Sequence, residues 1–252
     1  MIYKDIHAFL ENYDRDNVIF CFGNNAVVNF VSNLMFSAEK VGLPVVLFAL
    51  DKKISDTLGD KYDVVNYFNL DIEQDRFYEY GTEVFKKIVW HRFFIGLEIL
   101  KSDRSYIYMD VDIVVCKNFE TEILDKLFSF EEIDCVMQSF KLFPLKKDFV
   151  CSGFFAMKST ERTLGITLEF FEKNNYKEYR DDETFFNKVI FKKKVLNISQ
   201  LNINAYPTGP TYYINYAEIR NTCRIVHFNG VVGYDAKIAK MKEFNLYNYE
   251  KS

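Results

Sequence analysis

The sequence predicts an α/β domain with a mainly parallel central sheet flanked by helices. Two observations carry this expectation. Short apolar runs alternate with stretches of helical periodicity, and the composition supports a large core. Of 252 residues, 49% are hydrophobic and 17% aromatic, and a chain of this length buries roughly three quarters of its unfolded surface on folding. With Gly 10 and Pro 4 there is no linker-rich or low-complexity stretch, so residues 1–252 are expected to form one domain.

The elements follow in order. Val18-Ile19-Phe20-Cys21-Phe22 is a short apolar run ending at Gly23-Asn24-Asn25, the pattern of a buried strand entering a helix, with Asn available as a cap. Val27, Val28, Val31, Leu34, Met35, Ala38 and Val41 then recur at helical spacing, and Gly42 and Pro44 stop the helix before Val45–Leu50 resumes a strand. Strand, helix, strand over so short a span is a βαβ unit, which requires a parallel sheet. Asp51 follows the second strand. A weaker strand is expected at Val64-Val65, and a long helix from Thr82 to Leu100 that buries Val84, Phe85, Ile88, Val89, Phe93, Leu97 and Leu100. Tyr106–Met109 is the next strand. Further strands are expected at Cys135–Ser139, Gly153–Lys158, Val195–Ile198 and Ile225–Phe228, and helices at Thr160–Lys173 and Asp181–Phe191.

Charge and cysteine content narrow the function. Lys+Arg 32 against Asp+Glu 36 gives a net charge of −4, which argues against nucleic acid as the main partner. The start, Met1-Ile2-Tyr3-Lys4-Asp5, lacks a basic-then-apolar signal pattern. No apolar run approaches the ~20 residues of a membrane span, so a cytoplasmic location is expected. The amphipathic stretch from Lys237 to Phe244 leaves peripheral membrane or partner docking open. Cys21, Cys116, Cys135, Cys151 and Cys223 are odd in number and lack CxxC spacing, which reads as buried free thiols rather than a disulfide or zinc framework.

The most informative stretch is Tyr106-Ile107-Tyr108-Met109-Asp110-Val111-Asp112-Ile113-Val114-Val115. Two carboxylates interrupt an apolar run, and in extended backbone side chains two apart share a face. Burying two adjacent anions without compensation is prohibitive, and a hard divalent cation, Mg²⁺ or Mn²⁺, removes the conflict. The competing reading is a turn with two solvated aspartates. Val226-His227-Phe228-Asn229-Gly230 ends a strand with one of three histidines; it is either a core histidine or the imidazole that completes the aspartate site. Arg180-Asp181-Asp182-Glu183-Thr184-Phe185-Phe186-Asn187 places acids at a helix start, where they complement the dipole or face a ligand. Cys151-Ser152-Gly153 lets backbone approach a ligand closely. Among the cations, Arg92 stands out because Trp90, Phe93 and Phe94 surround it and a guanidinium suits a phosphate or carboxylate.

In this order the pieces resemble the retaining, metal-dependent nucleotide-diphospho-sugar glycosyltransferases of the GT-A fold. These include glycogenin, bacterial lipopolysaccharide galactosyltransferases, and plant xylosyl- and arabinosyltransferases. The resemblance covers most of the chain. It runs from the βαβ unit through a basic residue, Arg92, to the DxD-like Asp110-Val111-Asp112, the small Ser152-Gly153-Phe154 element, Asp182-Glu183 with Asn187, and His227-Phe228-Asn229-Gly230 followed by Lys237. Glu183 stands where those families often carry Gln, and no Lys-Pro-Trp follows Gly230.

The resemblance implies a Rossmann-like nucleotide-binding half over residues 1–112 and a sugar- and acceptor-binding half over residues 113–252. It implies Mn²⁺ (or Mg²⁺) held by Asp110, Asp112 and His227, with Asp110 also on the ribose. Phe22, Gly23, Asn24 and Asp51 would line the base and ribose pocket. Lys237 would reach the diphosphate, with Gly230 beside the donor, and Arg92 the phosphates or the donor sugar. Ser152 and Gly153 would flank the sugar, with Asp182 or Glu183 at its reacting side. The implied reaction moves a sugar from a UDP-sugar to a hydroxyl of a glycan or glycoprotein with retention, by a front-face route or through a covalent intermediate.

Two other readings stand beside it. A haloacid-dehalogenase-like phosphatase also uses Asp-x-Asp, with Asp110 as nucleophile, Asp112 as acid/base, and Lys173 or Lys177 in support. A noncatalytic nucleotide-sugar-binding protein would share the site without the reaction. A dinucleotide dehydrogenase has no support, since no GxGxxG follows the first strand.

Overall fold

The computed structural model describes residues 1–70, 72–73, 75–142, 147–172, 179 and 181–249. Its centre is an eight-stranded sheet in the order β1-β4-β3-β2-β5-β8-β7-β9. The strands are β1 (Ile2–Tyr3), β2 (Asn17–Gly23), β3 (Val45–Ala49), β4 (Val64–Asn66), β5 (Ser105–Met109), β7 (Cys135–Leu142), β8 (Lys147–Met157) and β9 (Ile198–Gln200). From β1 to β5 every pairing is parallel, with Ile19 opposite Val45 and Asn17 opposite Ser105. β8 runs antiparallel to β5 and to β7, and β9 is parallel to β7. Every residue of β2, β3 and β5 is buried, which is why these strands read as unbroken apolar runs.

Helices cover both faces, and the alternation of each strand divides the core. Val18, Phe20, Phe48, Tyr106 and Tyr108 join Phe9 of α1 (Ile6–Asn12), Trp90 and Phe93 of α4 (Glu83–Lys101) and Phe170 of α6 (Glu161–Glu172). Ile19, Cys21, Leu47 and Ile107 face Val31 and Leu34 of α2 (Val28–Lys40), Ile54 of α3 (Lys52–Leu58) and Ile123 of α5 (Glu120–Phe128).

A separate two-stranded ribbon, β6 (Ile113–Val115) against β10 (Ile225–His227), carries a third cluster. There Val114, Val226 and Phe228 meet Tyr212 and Ile219 of α8 (Gly209–Ile219) and Met241 of α9 (Tyr234–Glu243). The amphipathic Lys237–Phe244 stretch thus packs on the body: Met241 is fully buried, and Phe244 stacks on Tyr213.

Several local expectations change. The aspartates are not in extended backbone: after β5 the chain turns, Ile113 N donating to Asp110 O at 3.2 Å, and β6 leaves the main sheet. The strand expected at Val195–Ile198 begins only at Ile198, because Val195 N bonds back to Ile190 O at 3.1 Å and closes the preceding helical segment. The Asp181–Phe191 helix is α-helical only over α7 (Asp182–Phe185) and continues as a π-helical turn over Phe186–Phe191. Asn24 does not cap through its side chain; its amide donates to Glu73 O at 3.3 Å and Arg76 O at 3.1 Å. In α4 the buried face also takes in Trp90, Arg92, Ile95, Gly96 and Ile99, while Val84, Phe85 and Ile88 are only half-buried. Among the helices anticipated from the sequence, the Thr160–Lys173 stretch appears as α6, its Lys173 lying outside the described residues together with Lys177 and Arg180. All five cysteines are free, four of them buried.

Candidate functional site

β5, an interior strand, carries Tyr108 near its carboxyl end, and the turn that follows presents Asp110 and Asp112 beyond the carboxyl ends of the parallel strands, where open α/β sheets place their ligands. Asp110 N donates to Gly153 O at 2.7 Å, tying the turn to β8. The ribbon supplies the third group: His227 pairs with Ile113, and Phe228 N donates to Asp112 O at 3.0 Å. The imidazole Nε2 therefore lies 3.2 Å from Asp112 Oδ1 and 3.5 Å from Asp110 Oδ2. One ligand atom from each of Asp110, Asp112 and His227 falls within 4.8 Å of the others.

Gly153 closes this cluster from below. A Cβ there would sit 2.2 Å from His227 Cε1 and 2.5 Å from Asp110 Oδ2, so the glycine is required by close approach. Two carboxylate oxygens and an imidazole nitrogen form a donor set suited to Mn²⁺ or Mg²⁺.

Two cations flank the pair. Lys237, in the first turns of α9, forms an ion pair with Asp112 Oδ2. Arg92, only 4% exposed, reaches Asp110 Oδ1 at 3.3 Å and Asp182 Oδ2 at 3.0 Å. Its Nη1 also donates to Ser152 O at 2.7 Å, and its guanidinium lies 4.6 Å over the Tyr108 ring. Tyr108 OH donates to Asp110 Oδ1. Removal from water would raise the pKa of both aspartates. Arg92 and His227 outweigh it at Asp110, and Lys237 and His227 outweigh it at Asp112, so both carboxyls are held below their ordinary value. Burial works against protonation of His227, but Asp112 and Asp110 hold its pKa well above the ordinary value.

The second carboxylate pair has the opposite setting. Asp181 caps α7, accepting from Thr184 N at 2.7 Å, and Asp182 and Glu183 follow at the cavity wall. Burial raises Asp182 despite Arg92, and burial together with Asp182 and Asp181 pushes Glu183 up to about 7.

Both pairs open into one cavity of about 460 Å³. Phe22, Gly23 and Asn24 line it at the end of β2, Ser152 and Gly153 at β8, and Gly230 (φ +79°) and Lys237 also line it. Asp51 is not among the lining residues: its Oδ1 caps α3 by accepting from Ile54 N at 2.9 Å, and its Oδ2 accepts from Asn25 N at 2.7 Å. The sequence reading missed an aromatic wall, Phe77, Tyr78 and Tyr80, which lines the cavity together with Phe85 of α4; nothing periodic before α4 marks it. It also missed Tyr108 as a partner of Asp110, although their two-residue spacing was visible. Tyr206, Pro207 and Thr208 are buried behind His227, whose backbone N donates to Pro207 O at 3.2 Å.

A mainly parallel sheet with helices on both faces, whose central strand ends in an acidic pair, has the α/β architecture of the GT-A glycosyltransferases. The chain belongs to the nucleotide-diphospho-sugar transferase family, which matches residues 43–241; this displaces the phosphatase reading. It is 23% identical over 192 residues to UDP-D-xylose:L-fucose alpha-1,3-D-xylosyltransferase 3 of Arabidopsis thaliana, an alignment covering 68% of this chain and 49% of that protein. The chain thus spans about half the length of this curated relative. Solved structures that share the fold include a glycosyltransferase involved in the glycosylation of the major capsid of PBCV-1 (TM-score 0.55, 10% identity, covering 92% of this chain and 100% of that one) and mouse xyloside xylosyltransferase 1 (TM-score 0.54, 10% identity, 87% and 100%). Among the described residues no helix is long and apolar enough to cross a membrane.

Proposed function

We propose that this protein transfers a sugar from a UDP-sugar to a hydroxyl of a glycan or glycoprotein, with retention at the anomeric carbon. The observation that carries the reading is the convergence of Asp110, Asp112 and His227 at the floor of the cavity. These residues would hold Mn²⁺ or Mg²⁺, which when bound supplies Lewis-acid stabilisation to a departing diphosphate. Residues 1–112 then form the donor-nucleotide half and residues 113–252 the sugar and acceptor half.

The side chains divide the work. Phe22, Gly23 and Asn24 wall the nucleoside end. Asp51 acts behind that wall, holding the Asn25 amide and the start of α3. Lys237 brings an ammonium beside Asp112, placed to stabilise the diphosphate's growing charge. Arg92 is already engaged by Asp110, Asp182 and Ser152, so it fixes the two carboxylate pairs relative to each other beside the donor sugar.

Burial and the neighbouring Asp182 and Asp181 push the Glu183 carboxyl up to about 7, so near neutrality it can offer a sugar hydroxyl a hydrogen bond from its protonated form. In a front-face route the leaving phosphate takes the acceptor proton; in the alternative, Asp182 or Glu183 in its ionised form is the nucleophile of a covalent intermediate. The aromatic wall at Phe77, Tyr78 and Tyr80 gives the ligand in the cavity flat surfaces for ring stacking and orientation.

The test is a panel of UDP-sugars with Mn²⁺ or Mg²⁺, read by UDP release and thermal stabilisation, followed by glycan and glycoprotein acceptors. One donor is expected to stabilise the protein and release UDP in a chelator-sensitive way. Binding of a UDP-sugar without release or transfer to any acceptor would support the noncatalytic reading instead, and failure to bind any member with either metal overturns the proposal.

A further inference from the structure

His227 presents Nε2 to Asp110 and Asp112, and its other ring nitrogen points into the core. The residue behind it is Gln138, fully buried in β7 at the register shift between Met137 and Gln138. Both ends of its amide have partners: Nε2 lies 3.1 Å from Tyr206 O, and Oε1 lies 2.9 Å from His227 Nδ1.

These two contacts decide more than position. A backbone carbonyl only accepts, so the amide's NH₂ must face Tyr206 and its carbonyl oxygen must face the imidazole. That oxygen also only accepts, so Nδ1 must carry the hydrogen. Cys151 Sγ, at 3.7 Å from Nδ1, is the weaker partner and itself receives Asn229 Nδ2 at 3.5 Å. The opposite neutral tautomer would set two lone pairs against each other and leave a buried carbonyl unpaired, a penalty worth a factor of about 10 to 100 in population.

We infer that Gln138 is the positioning residue of the candidate metal centre: it holds His227 in the Nδ1–H form, so that Nε2 offers its lone pair beside the two aspartates. The inference rests on the reading that Asp110, Asp112 and His227 hold a divalent cation. The support is itself anchored, because the segment whose Tyr206 carbonyl orients Gln138 also accepts from His227 N through Pro207 O at 3.2 Å and bridges His227 at Thr208. Backbone and ring of His227 are thus set from one buried segment. Outer partners of this kind are worth about 10- to 100-fold in metal affinity.

Two variants test it: Gln138→Met, which keeps length but removes the oxygen, and Gln138→Glu, which keeps an acceptor toward Nδ1 in either protonation state. The measurements are Mn²⁺ affinity by calorimetry and ring ¹⁵N spectra of the Mg²⁺-loaded protein, where only three histidines must be told apart. Wild type is expected to show His227 with the proton on Nδ1. Gln138→Met is expected to bind Mn²⁺ about 10- to 100-fold more weakly with mixed tautomers, and Gln138→Glu to keep the tautomer and most of the affinity.

Equal Mn²⁺ affinity and an unchanged His227 spectrum in Gln138→Met overturn the inference. So does an Nε2–H ring in wild type, which needs no variant to fold. If wild type binds neither cation, the metal reading fails separately, and metal-free spectra at alkaline pH, wild type against Gln138→Met, still decide whether Gln138 sets the ring.

Discussion

Asp110 and Asp112 stand among Arg92, His227 and Lys237, whereas Asp182 shares Arg92 with Asp110, and Glu183 is raised by burial and by its neighbours Asp182 and Asp181. Carboxyls in one cavity are therefore biased in opposite directions: the first pair is held below its ordinary pKa, the second is raised above it. The lesson is that carboxylate spacing says little about role, and the count of nearby cations decides it. The two pairs also bias stability oppositely with pH. Asp112 has a lowered pKa, so its contribution is present above the ordinary carboxylate range and is lost as pH falls through and below it. Glu183 keeps its proton to about 7 in the folded protein but loses it near 4.5 when unfolded, so stability falls as pH rises between those values.

The contrast can be broken at four points. The largest effect is expected from Asp112→Asn, which removes a proposed cation ligand and the partner of Lys237. Transfer should drop by about 10³-fold or more while circular dichroism stays unchanged, and near-full activity would refute the metal assignment.

Next is Arg92→Met, which leaves Asp110 and Asp182 without their shared guanidinium. Loss of one partner of buried ion pairs costs about 3–5 kcal/mol, read as a lower urea midpoint, and Arg92→Lys should recover only part because it lacks the planar fork.

Gly153→Ala follows. Its Cβ would collide with His227 and Asp110, and overpacking of this kind costs about 1–3 kcal/mol. Mn²⁺ affinity should fall as well; an unaltered affinity would show that the cluster does not depend on the close approach.

The smallest is Glu183→Gln. Between pH 4.5 and about 7 it should remove a stability slope of at most ~1.4 kcal/mol per pH unit, measured by urea titrations at several pH values, while the slope at acid pH from Asp112 persists. Persistence of the neutral slope would place the titrating group elsewhere.

The parallel half was readable because its information is local. Val18–Phe22, Val45–Leu50 and Tyr106–Met109 are continuous apolar runs because helices bury both faces of those strands, and Gly42 at φ +70° ends α2 where the pattern stops. The antiparallel half was less readable. β9 starts later than its apolar residues suggest, and a π-helical turn cannot be told from α-helix by periodicity. In the site, the paired aspartates were visible, but their extended geometry was not what the chain adopts. Gln138 carried one faint signal, an amide following Cys135-Val136-Met137 in an apolar strand, and no spacing rule connects it with His227.

Local chemistry alone determined that this chain is an α/β protein with two acids that demand compensation, since strand burial and charge repulsion act within a few residues. Only the tertiary structure decided what compensates them. Pairing of β6 with β10 brings His227 beside Asp112, docking of α9 brings Lys237, and packing of α4 aims Arg92 at both carboxylate pairs. Those contacts span more than a hundred positions in the case of Lys237 and Asp112, and no sequence periodicity records a separation set by how sheets and helices pack.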